Sequence, residues 1–207
     1  MENNTNTLQK DVISLVKENI SKGINYQEYR NIVAQHVENG TSTGPHQSEA
    51  LSNYTLLNNS RMKRLDKTTK VSEELENKYR NFQGDVTWLV ITESWCGDAA
   101  QNLPMINKLA ELNSGIDLKM VSRDDNPELM NEFLTNGAMA IPKLIAFDKK
   151  KEEVIGLWGP RPTVATQMVA DYKKEHGKLT PEFKKDLQVW YNKDKGVSTF
   201  EDLAELI

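Results

Sequence analysis

The chain has 207 residues, with 30 acidic and 26 basic side chains mixed along its length and a net charge of −4. That balance argues against a general nucleic-acid binder, which carries a basic excess, and no apolar run approaches the ~20 residues that span a bilayer. The opening Met1-Glu2-Asn3-Asn4-Thr5-Asn6 has neither the basic nor the apolar region of a signal peptide, and a single cysteine allows no intramolecular disulfide, so a reducing, cytoplasmic setting is expected.

Residues 1–84 read as a helical extension. Val12, Ile13, Leu15, Val16 and Ile20 form one apolar stripe, and Tyr26, Tyr29, Ile32, Val33 and Val37 form a second. Asn39-Gly40-Thr41-Ser42-Thr43-Gly44-Pro45 is a polar break with strong turn signals. A third helix is predicted from Ser48, with Leu51, Tyr54, Leu57 or Asn58, Met62 and Leu65 on or near one face, and a fourth from Ser72 through Phe82. No Gly/Ser/Pro linker separates Phe82 from the apolar run that begins at Val86, so the stripes are expected to pack on the body of the protein.

Residues 85–178 alternate strands and helices. Val86 to Thr92 is nearly all apolar, the pattern of a strand buried on both faces. A helix is predicted from Gly97 to Leu112, with Leu103, Ile106, Leu109, Ala110 and Leu112 near helical spacing, then an alternating strand from Ile116 to Val121. Asp125-Asn126-Pro127-Glu128 starts another helix, Pro127 suiting its first position. Lys143–Phe147 and Val154–Trp158 read as a hairpin around Asp148–Glu152, and Thr163 is predicted to cap the closing helix. Residues 179–207 form a helical tail: Thr180-Pro181 opens it, Ser198 with Glu201 makes a capping-box pattern, and Phe183, Trp190, Tyr191 and Phe200 are expected to dock it. The class is α/β, and the first βαβ unit needs a crossover helix to join parallel strands.

Cys96 lies at the junction of the first strand and its helix. There it faces unpaired backbone N–H groups and the positive end of the helix dipole, which favour the thiolate, the nucleophilic form. A lone cysteine is ordinarily a small buried hydrophobe, so position alone leaves both readings open. Asp98, two residues on, stabilises the helix start but disfavours a second negative charge, so dipole and carboxylate pull the thiol in opposite directions. His36, His46 and His176 are widely spaced and no ligand spacing resembles a metal site. Asp124-Asp125 reads as a helix-start acidic cluster. Arg61, Lys63, Arg64, Lys67 and Lys70 form a basic helix face, solvated by default, with a positive surface near Cys96 as the functional alternative, to which Lys143 would add. Glu93 and Ser94 are expected at the rim of the site, outside the core.

Trp95-Cys96-Gly97 at a strand–helix junction, Pro104 inside the helix and Ile141-Pro142 downstream resemble the thioredoxin superfamily. There a Trp-Cys-Gly-Pro-Cys segment, a helix-kinking proline and an Ile–cis-Pro pair occupy these places. The resemblance implies a thioredoxin-like fold, a cis Ile141–Pro142 bond against Cys96, and substrate contacts from Trp95, Gly97, Asp98, Ile141 and Pro142. The departures matter equally. Ala99 replaces the resolving cysteine, Asp98 the intervening proline, and Val90 the buried aspartate that assists proton transfer. The layout is similar to that of a branch of thioredoxin-like bacterial proteins carrying Trp-Cys-Gly-Asp-Ala.

Two functions are compatible with this pattern. In one, Cys96 is the nucleophile of a monothiol redox protein, exchanging with a protein or a low-molecular-weight thiol or disulfide and resolved by an external thiol, with no cofactor, nucleic acid or membrane involved. In the other, the fold is a non-catalytic binding or scaffold module that recognises a partner through the Cys96/Pro142 groove.

Overall fold

The computed structural model describes residues 2–207, with side chains from Asp11 onward; Met1, the first residue of the expected extension, lies outside them. The extension forms α1 (Glu2–Lys22), α2 (Tyr26–Glu38), α3 (Glu49–Thr68) and α4 (Glu73–Arg80). Asn25 opens α2 with a capping box, accepting the Glu28 N–H while the Glu28 carboxylate accepts the Asn25 N–H. Ser48 and Ser72 cap α3 and α4 in the same side-chain-to-backbone manner. The inner face of α3 is Thr55, Asn58, Met62 and Leu65, while Tyr54 and Leu57 are half exposed. Of the two candidates for the inward position, Asn58 takes it because its amide has a backbone carbonyl to serve inside.

Four strands follow: β1 (Val86–Thr92), β2 (Ile116–Ser122), β3 (Lys143–Asp148) and β4 (Glu153–Trp158), in the spatial order β2-β1-β3-β4. α5 (Gly97–Ala110) carries the crossover from β1 to its parallel neighbour β2, and α6 (Pro127–Glu132) leads towards β3, which runs antiparallel to β1 and β4. Paired on both edges and covered on both faces, β1 is buried at every residue, as its continuous apolar sequence requires. The outer edge of β2 is covered at one point, where Ile24 and Met120 exchange both backbone hydrogen bonds at 3.1 and 2.7 Å. α3 runs against α5, and α1 reaches α6. The extension therefore shares one core with the sheet: Val16, Tyr29, Val33, Met62 and Tyr79 are buried in the same cluster as β1 and α5. Among the described residues no helix is long and apolar enough to cross a membrane.

The closing helix and the tail sort into two groups. α7 (Thr163–His176) and α8 (Pro181–Asp194) form a hairpin with an apolar cluster of its own, built from Ala165, Val169, Phe183, Leu187 and Tyr191. Tyr172 stacks on Phe183 at 4.0 Å between ring centroids. α9 (Val197–Leu203), followed by a 3-10 turn (Ala204–Leu206), returns to the main core through Phe200 and Leu203. Two expected caps are replaced by other carboxylates, one distant and one four residues back. Thr163 is the first helical residue of α7, not its cap, and the Asp202 carboxylate accepts its N–H at 2.7 Å and the Trp158 indole N–H at 3.0 Å. Ser198 lies inside α9, and its hydroxyl donates back to Asp194 at 2.6 Å, so the Ser198–Glu201 box does not form. In both cases a carboxylate already held by the fold meets the helix start more directly than the local side chain does.

Tyr79 ties the extension to α9. Its ring is fully buried edge-on to Trp88, and its hydroxyl donates to the Leu203 carbonyl at 2.8 Å. Tyr79→Phe strands that carbonyl in the core and is expected to cost about 1–2 kcal/mol, read as a Tm loss of roughly 2–8 °C by calorimetry. An unchanged Tm would mean that water replaces the lost donor.

Candidate active site around Cys96

Cys96 is the N-cap residue of α5. Its sulfur accepts the Ala99 N–H at 3.4 Å and its S–H donates to the Ile141 carbonyl at 3.2 Å. The thiol thus bridges the helix start and the residue before Pro142, and the Ile141–Pro142 bond is cis. The turn that carries it is fixed from the extension. The Asn58 amide donates to the Ser94 carbonyl at 2.9 Å, the Ser94 N–H donates to the Thr43 hydroxyl at 2.8 Å, and the Ser94 and Thr55 hydroxyls share a hydrogen bond at 2.8 Å. Glu93 and Ser94, expected at the rim, are each only 1% exposed. Their polarity is satisfied by α3 and the Thr41–Pro45 loop, which close over them. Trp95 remains half-buried, with the Arg123 guanidinium 4.8 Å above its ring.

Pro142 is held from the opposite side. Gly159, at φ +111°, lies so close that a β-carbon there would come within 2.1 Å of the Pro142 carbonyl oxygen. Only glycine fits that approach and that backbone region. The next bond, Gly159–Pro160, is also cis, and it leads to Arg161, whose guanidinium pairs with the Asp98 carboxylate at 2.6 Å. The Tyr191 hydroxyl of α8 donates to the other Asp98 oxygen at 3.1 Å. Gln101 of α5 donates to Gln188 of α8 at 2.9 Å, and a β-carbon on Gly97 would meet Arg61 and Gln188 side chains, each at 3.9 Å. Cys96, Gly97 and Asp98 therefore lie beneath two covers: α3 on one side, Arg161 with α8 on the other.

The covering decides the electrostatics. Burial, and next the Asp98 charge, push the Cys96 thiol up to about 12, while the Ala99 and Asp98 N–H groups and Arg161 pull the other way without prevailing. Of the two opposed influences at the helix start, desolvation together with the carboxylate outweighs the backbone. Burial also raises Asp98, against Arg161, Tyr191 and Arg61, and raises Tyr191 well above the ordinary phenol range, Asp98 adding to it.

The basic stretch of α3 splits between environments. Arg61 faces the site, donating to Asn58 Oδ1 at 2.7 Å, and burial followed by Arg64 lowers its pKa. Arg64 donates to Asn192 of α8 at 2.8 Å, and Lys63, Lys67 and Lys70 are exposed. Lys143 is buried and gives its ammonium to the Thr135 hydroxyl at 3.2 Å. Among the described residues no group of three His, Cys, Asp or Glu side chains could hold a metal ion; His36 is engaged with Thr41, and Asp124 with Arg123. Sequence reasoning missed Arg161, Tyr191 as an Asp98 ligand, Gln188, Thr43, Thr55 and the role of Asn58. One signal for Arg161 was present: Gly159-Pro160-Arg161-Pro162 is a rigid strap that fixes where a long cation can reach.

Alkylation by iodoacetamide reads these influences directly. The wild-type rate is expected to rise about tenfold per pH unit from pH 7 to 10 without a plateau, because the thiolate is still scarce throughout that range. Asp98→Asn removes the adjacent charge and part of the cover, and should raise the rate at pH 8 by roughly tenfold, the equivalent of about one pKa unit. A plateau near pH 8 in the wild type would mean that the dipole outweighs burial.

A family model described as thioredoxin matches residues 44–173, more than half of the chain, beginning ahead of α3. Among solved structures the chain is similar to a protein of unknown function from Pseudomonas aeruginosa, at 17% identity and a TM-score of 0.62, covering 92% of this chain and 95% of that one. It is also similar to an HIV epitope scaffold, at 19% identity and a TM-score of 0.54, covering 88% and 97%. At such identities the likeness speaks for the fold alone. No curated protein matches the chain.

Proposed function

This chain belongs to the thioredoxin family, and on that premise we propose that it is a monothiol redox protein whose Cys96 is kept closed until its cover is released. The observation that carries the reading is the bracketing of Cys96 sulfur between the Ala99 N–H and the Ile141 carbonyl. A sulfur there, freed of its hydrogen bond to Ile141, faces the bend before β3, whose backbone carbonyl can align an incoming chain beside it. In the exchange the Cys96 S–H first loses its proton to solvent. The thiolate attacks one sulfur of a disulfide R–S–S–R′, forming Cys96–S–S–R and releasing R′–S⁻, which takes up a proton. With alanine at position 99, a second, external thiol attacks the mixed disulfide, releasing Cys96 and carrying R away as the new disulfide. Trp95, Gly97, Ile141 and Pro142 would line the incoming chain, and the partner is a protein or low-molecular-weight thiol or disulfide.

The cover is built for release. α7 and α8 keep their apolar contacts within their own cluster, and α8 reaches the site through polar atoms: Tyr191 to Asp98, Gln188 to Gln101, Asn192 to Arg64. Water can replace such contacts at small net cost, whereas apolar burial cannot be so replaced. A thiolate with a high pKa is intrinsically a strong nucleophile once formed, so opening and proton loss set the rate, not sulfur reactivity.

One observation favours a second reading, a thioredoxin-fold binding module without turnover: the thiol is 8% exposed and its pKa is pushed up to about 12. Turnover separates the two. The wild type should reduce insulin negligibly by itself, but measurably when a small thiol is supplied as resolver. Tyr191→Phe, which removes one strap of the cover, should raise that thiol-dependent rate by about threefold or more. Turnover equal to that of Cys96→Ser, with and without the small thiol and in Tyr191→Phe, would leave the binding module as the function.

A further inference from the structure

Glu93 lies directly after β1, at 1% exposure, and its carboxylate accepts three hydrogen bonds, all from neutral groups: the Ser122 hydroxyl at 2.8 Å, the Asp124 N–H at 3.0 Å and the Thr43 hydroxyl. Among the described residues no Lys, Arg or His forms an ion pair with it. Arg123, near in sequence, is taken by Asp124 at 2.7 Å and lies over Trp95. A carboxylate removed from water is ordinarily matched by a cation, because neutral donors alone recover only part of its hydration. Beside it Thr92, also 1% exposed, turns its hydroxyl toward the Tyr29 phenol, and its buried oxygen accepts no hydrogen bond. Both residues line one solvent-open cavity of about 190 Å³, walled by α2, the Thr43–Gly44 turn and the end of β2.

We propose that this cavity binds a small organic cation, a primary ammonium group on a short hydrocarbon stem. Charge selects a cation: the charged side chains on the wall are Glu93 and, at the exposed side, Asp125, and no Lys or Arg lines it. The remaining titratable groups on the wall are Tyr29 and His36, whose Nδ1 is engaged with the Thr41 hydroxyl at 2.8 Å. Hydrogen bonding selects a primary ammonium. It has three N–H donors, the Glu93 carboxylate has about one acceptor position left beyond its three partners, and the Thr92 oxygen is free to accept a second donor. Ile24, Ile32 and Met120 supply an apolar wall for the stem. With a water's share of liquid volume at about 30 Å³, the cavity has room for roughly six non-hydrogen atoms, which admits a stem of three to five carbons. The site is separate from the exchange chemistry and does not depend on it.

The probe is n-butylammonium chloride, titrated into the full chain and followed by amide chemical shifts and by Tm, against sodium chloride and tetramethylammonium chloride at equal concentration. Saturable shifts near Thr92, Glu93 and Ser122 are expected with n-butylammonium, at least tenfold weaker with tetramethylammonium, which has no N–H, and absent with sodium. Cys96→Ser should bind as the wild type does. Thr92→Val should weaken binding about tenfold, Ile32→Phe should abolish it by filling the cavity, and Glu93→Gln should abolish it where that variant folds. Shifts that rise linearly and match those of sodium would overturn the proposal and leave a water-filled cavity. So would saturable binding that survives both Thr92→Val and Ile32→Phe unchanged, since the amine would then lie elsewhere.

Discussion

Asp98 is a carboxylate that cannot be left alone. It stands in the first turn of α5 beside the thiol, half-buried, and it draws to itself a cation from the strap after β4 and a phenol from α8. Each of those partners brings its own segment with it. Arg161 arrives because two prolines fix the chain on either side of it, and Tyr191 arrives on a helix whose apolar face is already satisfied by α7. The site is closed as a result: the groups that neutralise Asp98 are also the groups that keep water from Cys96. Burial beneath that cover, and next the Asp98 charge, hold the thiol protonated.

The two covers over the site differ in kind. The N-terminal side is integral to the core, since Tyr29, Val33 and Met62 are buried in the same cluster as β1 and α5, and Asn58, Thr55 and Thr43 fix the backbone before Cys96. Removing it would expose the sheet. The C-terminal side is a helical pair with a separate cluster and polar contacts to the body, bounded by the Pro160–Pro162 strap and by the Lys195–Gly196 turn, whose residues both have positive φ. Local opening draws on the least apolar interfaces of a fold, and here that interface reaches Asp98 and Gln101 in the helix that Cys96 caps. An apolar core lies on one side of Cys96 and a polar interface on the other.

Much of this was legible in the sequence. The continuous apolar run of β1, the alternation of β2, the hairpin and the Trp95-Cys96-Gly97 and Ile141-Pro142 segments each carry a local signal, and the strands lie where those signals put them. What the sequence hid were polar residues with distant partners. Asn58 lies next to Leu57 in the chain, and only the Ser94 carbonyl, supplied by another element, decides which turns inward. Glu93 and Ser94 look like rim residues because nothing near them in sequence can satisfy them; Ser122, Thr43 and Thr55 do so across the fold. Thr163 and Ser198 have the composition of caps, yet Asp202 and Asp194 serve those helix starts. Local propensity sets the elements, and long-range hydrogen bonding sets which polar groups are buried.

The central claim is that Cys96 forms and releases a mixed disulfide, and intact-protein mass spectrometry tests it most directly. After incubation with an oxidised low-molecular-weight thiol, the account predicts one adduct, located at Cys96, that forms faster in Tyr191→Phe than in the wild type and is removed on adding the reduced thiol. No adduct in either protein, at a pH and time where iodoacetamide labels Cys96 completely, would contradict it.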